Sequence, residues 1–449
     1  MKEKIWLVLT TALLLKIILG LIQVFWSLWF YTRKQKDCGD SVQNTPVVFL
    51  LLPLLREQKI LKDCFQRFES FLKQREWLRL VFVTTEREIT ENCGVTEGTT
   101  IEILQGLISN TSSDLRQRII HLHHPGFNRV VAEQLNYAIR TLESVTPKTT
   151  PYYLLIYNAD SVVTEEGLGV LFDVASSGAE AAQQSSLFLW NFGLLAQRNK
   201  FLLAAFALYQ SVWTLQHEVP RLLASSGKYS WLPSWFRNAS LVHAVSHGLL
   251  LRDDVVRNIN GFPVNRFGGE DLGLGLILKV VGYDILPVPT LENTEIPSRG
   301  LILLKQLAGW YLGTLGYLVF WRRLPRKTLK KHWLKVLLIT TAGIFDTAKW
   351  LLKGPAVILY LLLAYSTGHL GLSLLLYIGY VYTAVFGMIW LWHRLPSDTF
   401  PKPRSQGLIA VLCVYWLVPI VRTIPAVVGL WWGIRNALGF PFLKPKTER

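Results

Sequence analysis

The pattern of apolar and polar positions divides the chain into hydrophobic ends and a more polar centre. Residues 5–31 are almost continuously apolar, and Lys16 is the one charged residue among them. As an α-helix this stretch would extend roughly 40 Å, enough to cross a hydrocarbon core of about 30 Å with some tilt. The run is too long for a signal peptide and no small-residue cleavage site follows it. The sequence therefore predicts a retained transmembrane anchor over residues 1–36.

The central segment, residues 37–300, alternates between strand-like and helix-like runs. Runs typical of buried strands occur at Val47–Leu52, Leu78–Val83, Ile119–His123 and Tyr152–Tyr157. Helical patterns lie between and after them, running to about Lys73, over Val130–Leu142 and over Leu272–Val281. Strands that alternate with helices predict a doubly wound, mostly parallel α/β sheet. Such sheets bind their ligands at the carboxyl ends of the strands.

Apolar runs return after residue 300. Residues 301–321 contain a lysine and three glycines and precede a basic loop, so 301–335 is predicted to lie along the membrane interface. We predict a transmembrane region over 336–449, with three to five spans. Within it, 336–366 fits one kinked span, two short spans, or an interfacial helix and a span. Clear spans are predicted at 370–392 and, interrupted by Pro419, Arg422 and Pro425, at 407–433.

Composition and charge favour a membrane protein with one aqueous domain. Hydrophobic residues make up 51% of the chain and the mean hydropathy is +0.29, too apolar for an ordinary soluble enzyme. The net charge is +16, and its basic residues border the apolar segments, which predicts contact with membrane lipids and disfavours nucleic acid. The four cysteines show no CxxC pairing, in keeping with a reducing compartment. We therefore expect a multi-pass protein of the plasma (inner) membrane with a cytoplasmic central domain.

Two acidic motifs lie where a sheet of this class would bind a ligand. Asp160 follows the fourth predicted strand, and Glu270 and Asp271 open a helical run after a glycine-rich turn. Sugar transfer from a nucleotide donor needs a cation on the diphosphate and a base for the acceptor hydroxyl. Asp160 suits Mg²⁺ or Mn²⁺, and Asp271 suits the base. Each motif alone also fits a simpler structure, an Asx-turn for the first and a helix cap for the second.

Seven motifs together make the chain resemble a membrane-bound glycosyltransferase of family 2 over about residues 47–310. They are Pro53-Leu54-Leu55-Arg56-Glu57, Thr85-Glu86, His124-Pro125-Gly126 through Asn136-Tyr137-Ala138, Asn158-Ala159-Asp160-Ser161, Ser246-His247-Gly248, Gly269-Glu270-Asp271 and Gln306-Leu307-Ala308-Gly309-Trp310. The resemblance implies a GT-A fold and an inverting, metal-dependent transfer from a nucleotide sugar, with a UDP-sugar favoured. The acceptor would be a lipid-linked molecule or a saccharide.

The resemblance also assigns roles to residues of this chain. Asp271 would be the catalytic base beside Glu270, and Asp160 would hold the metal. Donor binding would fall to Pro53, Arg56, Glu57, Glu86, Arg129, Asn136 and Asp160, with Arg129 or Arg56 in place of a missing phosphate-binding lysine. Acceptor binding would fall to His247, Gly248, Gln306 and Trp310.

Departures from the family pattern bear on the type of product. Asn158 replaces the first aspartate of the metal motif, and Gly309 replaces an arginine that processive synthases direct at the donor diphosphate. These changes favour a single addition. A processive synthase that exports its polysaccharide remains an alternative. A non-catalytic transporter or scaffold is a second one, because Asp346, Lys349 and Arg422 are charges within apolar segments.

Overall fold

A seven-stranded sheet forms the centre of the molecule. The computed structural model describes residues 1–33, 46–91, 98–126, 130–146, 151–228, 233, 237, 240–242, 244–264 and 268–440. Strands β1 to β7 span Val47–Pro53, Leu78–Thr85, Ile119–His124, Tyr152–Ile156, Ala181–Leu187, Leu249–Arg252 and Ile285–Asn293. Their order is β3-β2-β1-β4-β6-β5-β7, and β6 runs antiparallel to both of its neighbours while the other pairs are parallel. The predicted mostly parallel α/β sheet is confirmed.

Helices cover both faces of the sheet. Strand β1 is apolar throughout, and its Leu50, Leu51 and Leu52 are fully buried, so alternate side chains feed two separate cores. One face packs against the helices Gln58–Gln74, Thr100–Ser109 and Glu165–Ser176. The opposite face packs against Val131–Val145, Asp253–Asn258 and Glu270–Val281. The result is a three-layer, doubly wound arrangement. In such folds the loops at the carboxyl ends of the strands form the ligand site.

Further helices lie between the strands and between the sheet and the apolar part of the chain. They are Glu86–Thr90, Ser113–Arg116, Phe192–Gln197, Phe201–Trp213, Val219–Ser225, Gly300–Thr314 and Arg326–Lys331, with 3₁₀ turns at Leu315–Leu318 and Phe320–Arg323. The segment Thr214–Glu218, which joins two of these helices, is π-helical. Such widened turns are uncommon and frequently occur at functional sites.

Among the described residues, three helices are long and apolar enough to cross a membrane. They are Lys2–Thr32, Trp333–Ser366 and Leu370–Arg394, the last made of Leu370–Tyr382 and Val385–Arg394. A fourth span would result if Ser405–Tyr415 and Val418–Ala437, which are bent by 53°, cross together. Residues 336–366, for which the sequence left three arrangements open, lie in one helix with Pro355 inside it.

Candidate functional site

A cavity of about 1060 Å³ lies between the carboxyl ends of the strands and the apolar helices. Residues that the sequence assigned to a site line it from several elements: Pro53, Glu57, Asp160, His247, Glu270, Asp271, Gln306 and Trp310. Its lining does not include Arg56, Glu86, Asn136 or Gly248, and Arg129 falls outside the described residues. The fold thus brings the two acidic motifs, 110 residues apart, to one cavity.

Asp160 is held at the cavity wall by the loop that follows β4. Its side chain is buried, and its Oδ2 accepts a hydrogen bond from Thr294 Oγ1 at 2.8 Å. The loop is anchored to the end of β7, because Val162 and Asn293 exchange backbone hydrogen bonds of 2.8 and 2.9 Å. Arg67 also donates to the carbonyl of Ser161 at 2.6 Å. These contacts fix the direction of the Asp160 carboxylate.

The residues around Asp160 suit a divalent cation that would also be held by phosphate groups of a ligand. No group of three or more His, Cys, Asp or Glu side chains that could hold a metal occurs in the described part of the chain. Mg²⁺ needs no such cage, since it is commonly held by one or two carboxylates and substrate phosphates while it keeps several waters. Asp160 supplies one carboxylate, and Asn158 lines the same wall with a neutral amide. These two side chains therefore fit a metal site whose remaining ligands come from a bound substrate and from water.

Asp271 stands at the start of the helix Glu270–Val281. Its Oδ2 accepts a hydrogen bond from Ser246 Oγ at 3.0 Å, and its Oδ1 accepts one from the Leu272 amide at 2.8 Å. The helix begins at Gly269, whose left-handed backbone (φ 70°) would place a Cβ 2.9 Å from the backbone of Gly313. Only glycine allows this close approach. The carboxylate is consequently set at a fixed position against the helix Gly300–Thr314.

His247 carries a positive charge near the acidic groups. Its Nδ1 lies 2.5 Å from Glu292 Oε1, and Ser186 Oγ lies 2.5 Å from both atoms. Burial disfavours the imidazolium, but the charge and hydrogen bond of Glu292 outweigh it and raise the pKa of His247 to about 9. Histidine at this position is therefore a cation at neutral pH.

Two acidic residues of this network are not among the site residues that the sequence assigned. Glu292 lies on β7 and is fully buried, and Glu218 lines the cavity from the π-helical turn. Burial raises the pKa of Glu218 to about 7, which a hydrogen bond from Ser185 and the charge of His247 offset only in part. For Glu218 the available signal was a glutamate within the helix-like run 198–225, and that signal is not specific.

A polar strand supports the loop that carries Ser246 and His247. On β5, Gln183 accepts a hydrogen bond from the Val245 amide and donates one to the His247 carbonyl, both at 2.8 Å. At Gly248 the backbone is left-handed (φ 65°), and a Cβ would lie 2.7 Å from the Gln184 Cβ. Gly248 therefore shapes the loop from behind the cavity wall.

The structure gives Arg56 and Glu86 protein partners. Arg56 has a left-handed backbone (φ 56°), its amide donates to Glu88 Oε2 at 3.0 Å, and its guanidinium pairs with Glu91. Glu86 Oε2 lies 3.0 Å from His123 Nε2. Both residues lie near the β1 and β2 ends, but their side chains are engaged with other residues of the protein.

The Asn136 side chain makes a contact within the protein and not with the cavity. Its Nδ2 donates to the Phe262 carbonyl at 2.9 Å, and its Oδ1 accepts from the Phe262 amide at 2.7 Å. This two-point contact joins the helix Val131–Val145 to the turn after Asp253–Asn258. Its amide stabilises the layer behind the site.

The cavity continues between the apolar helices, where charged residues line it. They include Lys16, Asp346, Lys349, Lys353 and Arg422. Asp346 lies 2.9 Å from Arg221 and 3.1 Å from Lys349. Asp346 and Lys349, two of the charges that the sequence places within apolar segments, are therefore paired with each other.

Comparison with known proteins gives a likeness of structure. No protein-family model and no curated protein sequence matches the chain. A mannosyltransferase from Pyrobaculum calidifontis, solved in complex with GDP-Man and Mn²⁺, is similar with a TM-score of 0.51 and 13% sequence identity. The match covers 97% of this chain and 99% of that one, so it includes the apolar helices. At this identity the likeness shows the fold, and the chain therefore has the fold of a known glycosyltransferase.

Proposed function

We propose that the chain is an inverting, metal-dependent glycosyltransferase of the GT-A class and of family 2, fixed in a membrane. It would move a sugar from a nucleotide-sugar donor to a lipid-linked or saccharide acceptor at the membrane surface. The observation that carries the proposal is the convergence of Asp160 and Asp271 on one cavity. The fold shared with a mannosyltransferase solved with GDP-Man and Mn²⁺ supports the same reading.

The proposed chemistry assigns separate tasks to the two acidic motifs. Asp160 would hold Mg²⁺ or Mn²⁺, and such an ion, when bound, neutralises charge that develops on the leaving diphosphate. Asp271 would accept the proton of the acceptor hydroxyl as that oxygen attacks the anomeric carbon. The bond from the anomeric carbon to the diphosphate oxygen breaks, and the nucleoside diphosphate leaves with the electron pair. The hydrogen bond from Ser246 would orient the Asp271 carboxylate for this transfer.

Donor binding would use the loops at the ends of the first two strands. Pro53 and Glu57 line the cavity and are proposed to contact the nucleoside. Arg87 lines it as well, from the helix Glu86–Thr90, and would add positive charge near the phosphates while its Nε stays paired with Glu91 at 2.9 Å. The nucleotide base stays open between uridine, which the family resemblance favours, and guanosine, which the structural neighbour binds.

The acceptor would bind at the cavity wall that is formed by the helix Gly300–Thr314 and His247. The Gln306 Oε1 is buried and has no hydrogen-bond partner within the described ranges of the chain. Buried polar atoms are nearly always paired, so this oxygen is suited to an acceptor hydroxyl. Trp310 lines the cavity with its ring edge-on to Phe188 at 5.9 Å, and offers an apolar face to a sugar.

The proposed location is the plasma (inner) membrane, with the sheet domain in the cytoplasm. Three candidate spans and the basic residues beside the apolar segments support it. Under this proposal residues 1–36 anchor the domain at 37–300, residues 301–335 lie at the interface, and 336–449 complete the membrane region.

A screen of nucleotide sugars tests the proposed function. Detergent-purified protein would be incubated with UDP- and GDP-sugars, with Mn²⁺ or Mg²⁺ and with excess EDTA, and release of nucleoside diphosphate would be measured. We expect metal-dependent release from at least one donor, and its loss in EDTA. Full release in EDTA would remove the metal from the mechanism. The absence of release from every donor would favour the transporter or scaffold.

A processive synthase is the second candidate function. The observation that favours it is the continuation of the cavity between the apolar helices, where a growing chain could pass. Sizing a radiolabelled product separates the two candidates, because single addition gives one short product and a synthase gives a distribution of long ones.

A further inference from the structure

Two irregular helices meet at the inner end of the cavity. Within Trp333–Ser366, Pro355 cannot donate the usual backbone hydrogen bond. Gly354 beside it would place a Cβ 2.5 Å from Thr423 Oγ1, and its amide donates to that oxygen at 3.0 Å. Arg422 stands opposite, at the single-residue turn between Val418–Val421 and Thr423–Ala437. Irregular helices that face each other within a membrane region commonly form ligand sites.

This meeting places two cations around one hydroxyl group. Lys353 Nζ lies 3.1 Å from Tyr209 Oη, and Arg422 Nη1 lies 3.3 Å from the same oxygen. The Arg422 guanidinium also stacks 4.1 Å from the Trp350 ring, and Lys353 lies 5.1 Å from the Tyr380 ring. Aromatic faces therefore hold both cations at the cavity wall.

No carboxylate in the described part of the chain forms an ion pair with either cation. Neither Lys353 nor Arg422 forms an ion pair with any residue that the structure describes, and Arg422 Nε has no hydrogen-bond partner there. Asp346, the acidic residue on the same long helix, lies instead against Arg221 and Lys349. Uncompensated cations among apolar helices are costly and are usually functional.

The two cations lower the pKa of the Tyr209 hydroxyl group that lies between them. Burial disfavours the phenolate of Tyr209, but the charges of Lys353 and Arg422 outweigh it and lower the pKa to about 8. The phenol nonetheless stays mostly protonated at neutral pH. Two positive charges thus remain to stabilise an anionic group of a ligand.

We propose that Lys353 and Arg422 bind the phosphate of a lipid-linked acceptor. A guanidinium and an ammonium together match phosphate oxygens, the first by paired donors and the second as a point charge. The lipid is the favoured source because apolar residues of the neighbouring helices line the same cavity: Leu9, Leu13, Leu352 and Val357. The phosphate would lie on the membrane side, and the sugar-accepting end would face Asp271. The role of this site in sugar transfer rests on the proposed transferase function, whereas phosphate binding by the two cations does not.

Binding of an alkyl phosphate tests the site without any nucleotide. Full-length protein in detergent would be titrated with dodecyl phosphate, with dodecanol and with inorganic phosphate, and the Tm followed by thermal shift. We expect dodecyl phosphate to raise the Tm in a dose-dependent way, and dodecanol to have no such effect. Lys353→Gln and Arg422→Gln should each weaken binding by about tenfold, since each removes one charge-assisted contact.

Arg435→Gln is the matched control, because Arg435 is an exposed arginine outside the cavity lining on the helix next to Arg422. It should bind dodecyl phosphate as the wild type does. Without ligand, Lys353→Gln and Arg422→Gln should melt at the wild-type temperature or above, because each removes an unbalanced charge. Tyr209→Phe keeps both cations and should bind dodecyl phosphate within about twofold of wild type. It tests whether a change at this cluster that leaves the charges in place also leaves binding intact.

Three results would overturn the proposal. Equal binding of dodecanol would show that the alkyl chain alone is recognised. Unchanged affinity in both cation variants would place the phosphate elsewhere. Inorganic phosphate bound as tightly as dodecyl phosphate would refute the lipid source. Because these titrations contain no nucleotide or metal, failure here and failure of the transferase proposal are separate results.

Discussion

The two ends of the cavity hold different charged side chains. On the sheet side, Asp160 and Asp271 are each held by a hydroxyl donor, from Thr294 and Ser246. On the helix side, Lys353 shares a tyrosine hydroxyl with Arg422, and Asp346 is paired with other cations. Such an arrangement suits a reaction in which a cation-bound diphosphate is held at the acidic motifs and a phosphate-bearing acceptor at Lys353 and Arg422. The two carboxylates thus suit a ligand that carries a metal ion, and the two cations suit an anion.

Both ends contain a local irregularity of the backbone. Gly269 starts the helix that carries Asp271 in a left-handed conformation, and Pro355, which lacks a backbone donor, lies inside the helix that carries Lys353. Irregularities of this kind leave polar backbone groups without their usual helical partners. Substitutions at the two ends should therefore have separable effects.

Asp271→Asn is expected to have the largest effect. Removing the base while keeping the side-chain shape should lower transfer by about 10³-fold, because no proton acceptor remains for the attacking hydroxyl. Turnover would be measured with a donor identified in the nucleotide-sugar screen. Asp114→Asn, at an exposed aspartate of the helix Ser113–Arg116, is the control and should leave turnover unchanged. Turnover within a few-fold of wild type in Asp271→Asn would refute the assignment.

Glu292→Gln should destabilise the sheet side by about 3 kcal/mol near pH 7, because it leaves the buried His247 imidazolium without its carboxylate. Folding raises the pKa of His247 from 6.5 to about 9, so the pair's stabilisation is complete below pH 6.5 and lost as the pH rises through about 9. The Tm gap between wild type and variant should shrink over that range.

The control for this pH series is Glu166→Gln, at an exposed glutamate of the helix Glu165–Ser176. It should change the Tm little at any pH. A gap between wild type and Glu292→Gln that stays constant from pH 6 to pH 10 would show that the charge of His247 does not depend on Glu292.

Gly248→Ala should cost about 2 kcal/mol, because alanine there would be left-handed and its Cβ would overlap Gln184. Thermal unfolding measures the loss. Gly169→Ala is the matched control, since Gly169 lies in a helix and nothing lies within 4 Å of an added Cβ. It should stabilise by roughly 0.5 kcal/mol. Equal Tm values for the two variants would contradict the packing described for the His247 loop.

Trp310→Ala is expected to have the smallest effect, confined to the acceptor. Loss of an aromatic face should raise the acceptor KM by about fivefold and leave the donor KM unchanged. Trp333→Ala, at an exposed tryptophan that begins the long helix, serves as the control. A matching rise in the donor KM would move Trp310 from the acceptor to the donor side.

The sequence predicts the first four strands, which are rich in apolar residues. Strands β1 to β4 begin where predicted and end within two residues of the predicted ends. Strand β5 could not be predicted, because Ala181–Leu187 contains two glutamines and two serines that are buried. Gln183 is stable there only because the loop at 245–247 satisfies its amide, and no local pattern encodes such a distant partner.

The same limit applies to the site. The position of Asp160 after β4 was expected from sheet topology, whereas Asp271 was assigned to the same site by the resemblance of its motif. The pairing of His247 with Glu292, 45 residues later, depends on the register of β5 and β7, which the sequence does not reveal. The protein contacts of Arg56 and Asn136 also required coordinates, since motif similarity cannot show which way a side chain is engaged.

Metal-dependent binding of a nucleoside diphosphate tests the central claim, that Asp160 and Asp271 divide donor binding and proton transfer between them. Binding of UDP and GDP would be measured by calorimetry with and without Mn²⁺, in wild type, Asp160→Asn and Asp271→Asn. We expect Mn²⁺ to strengthen binding in wild type and in Asp271→Asn, and to have little effect in Asp160→Asn. Mn²⁺-dependent binding of wild-type strength in Asp160→Asn would contradict the account.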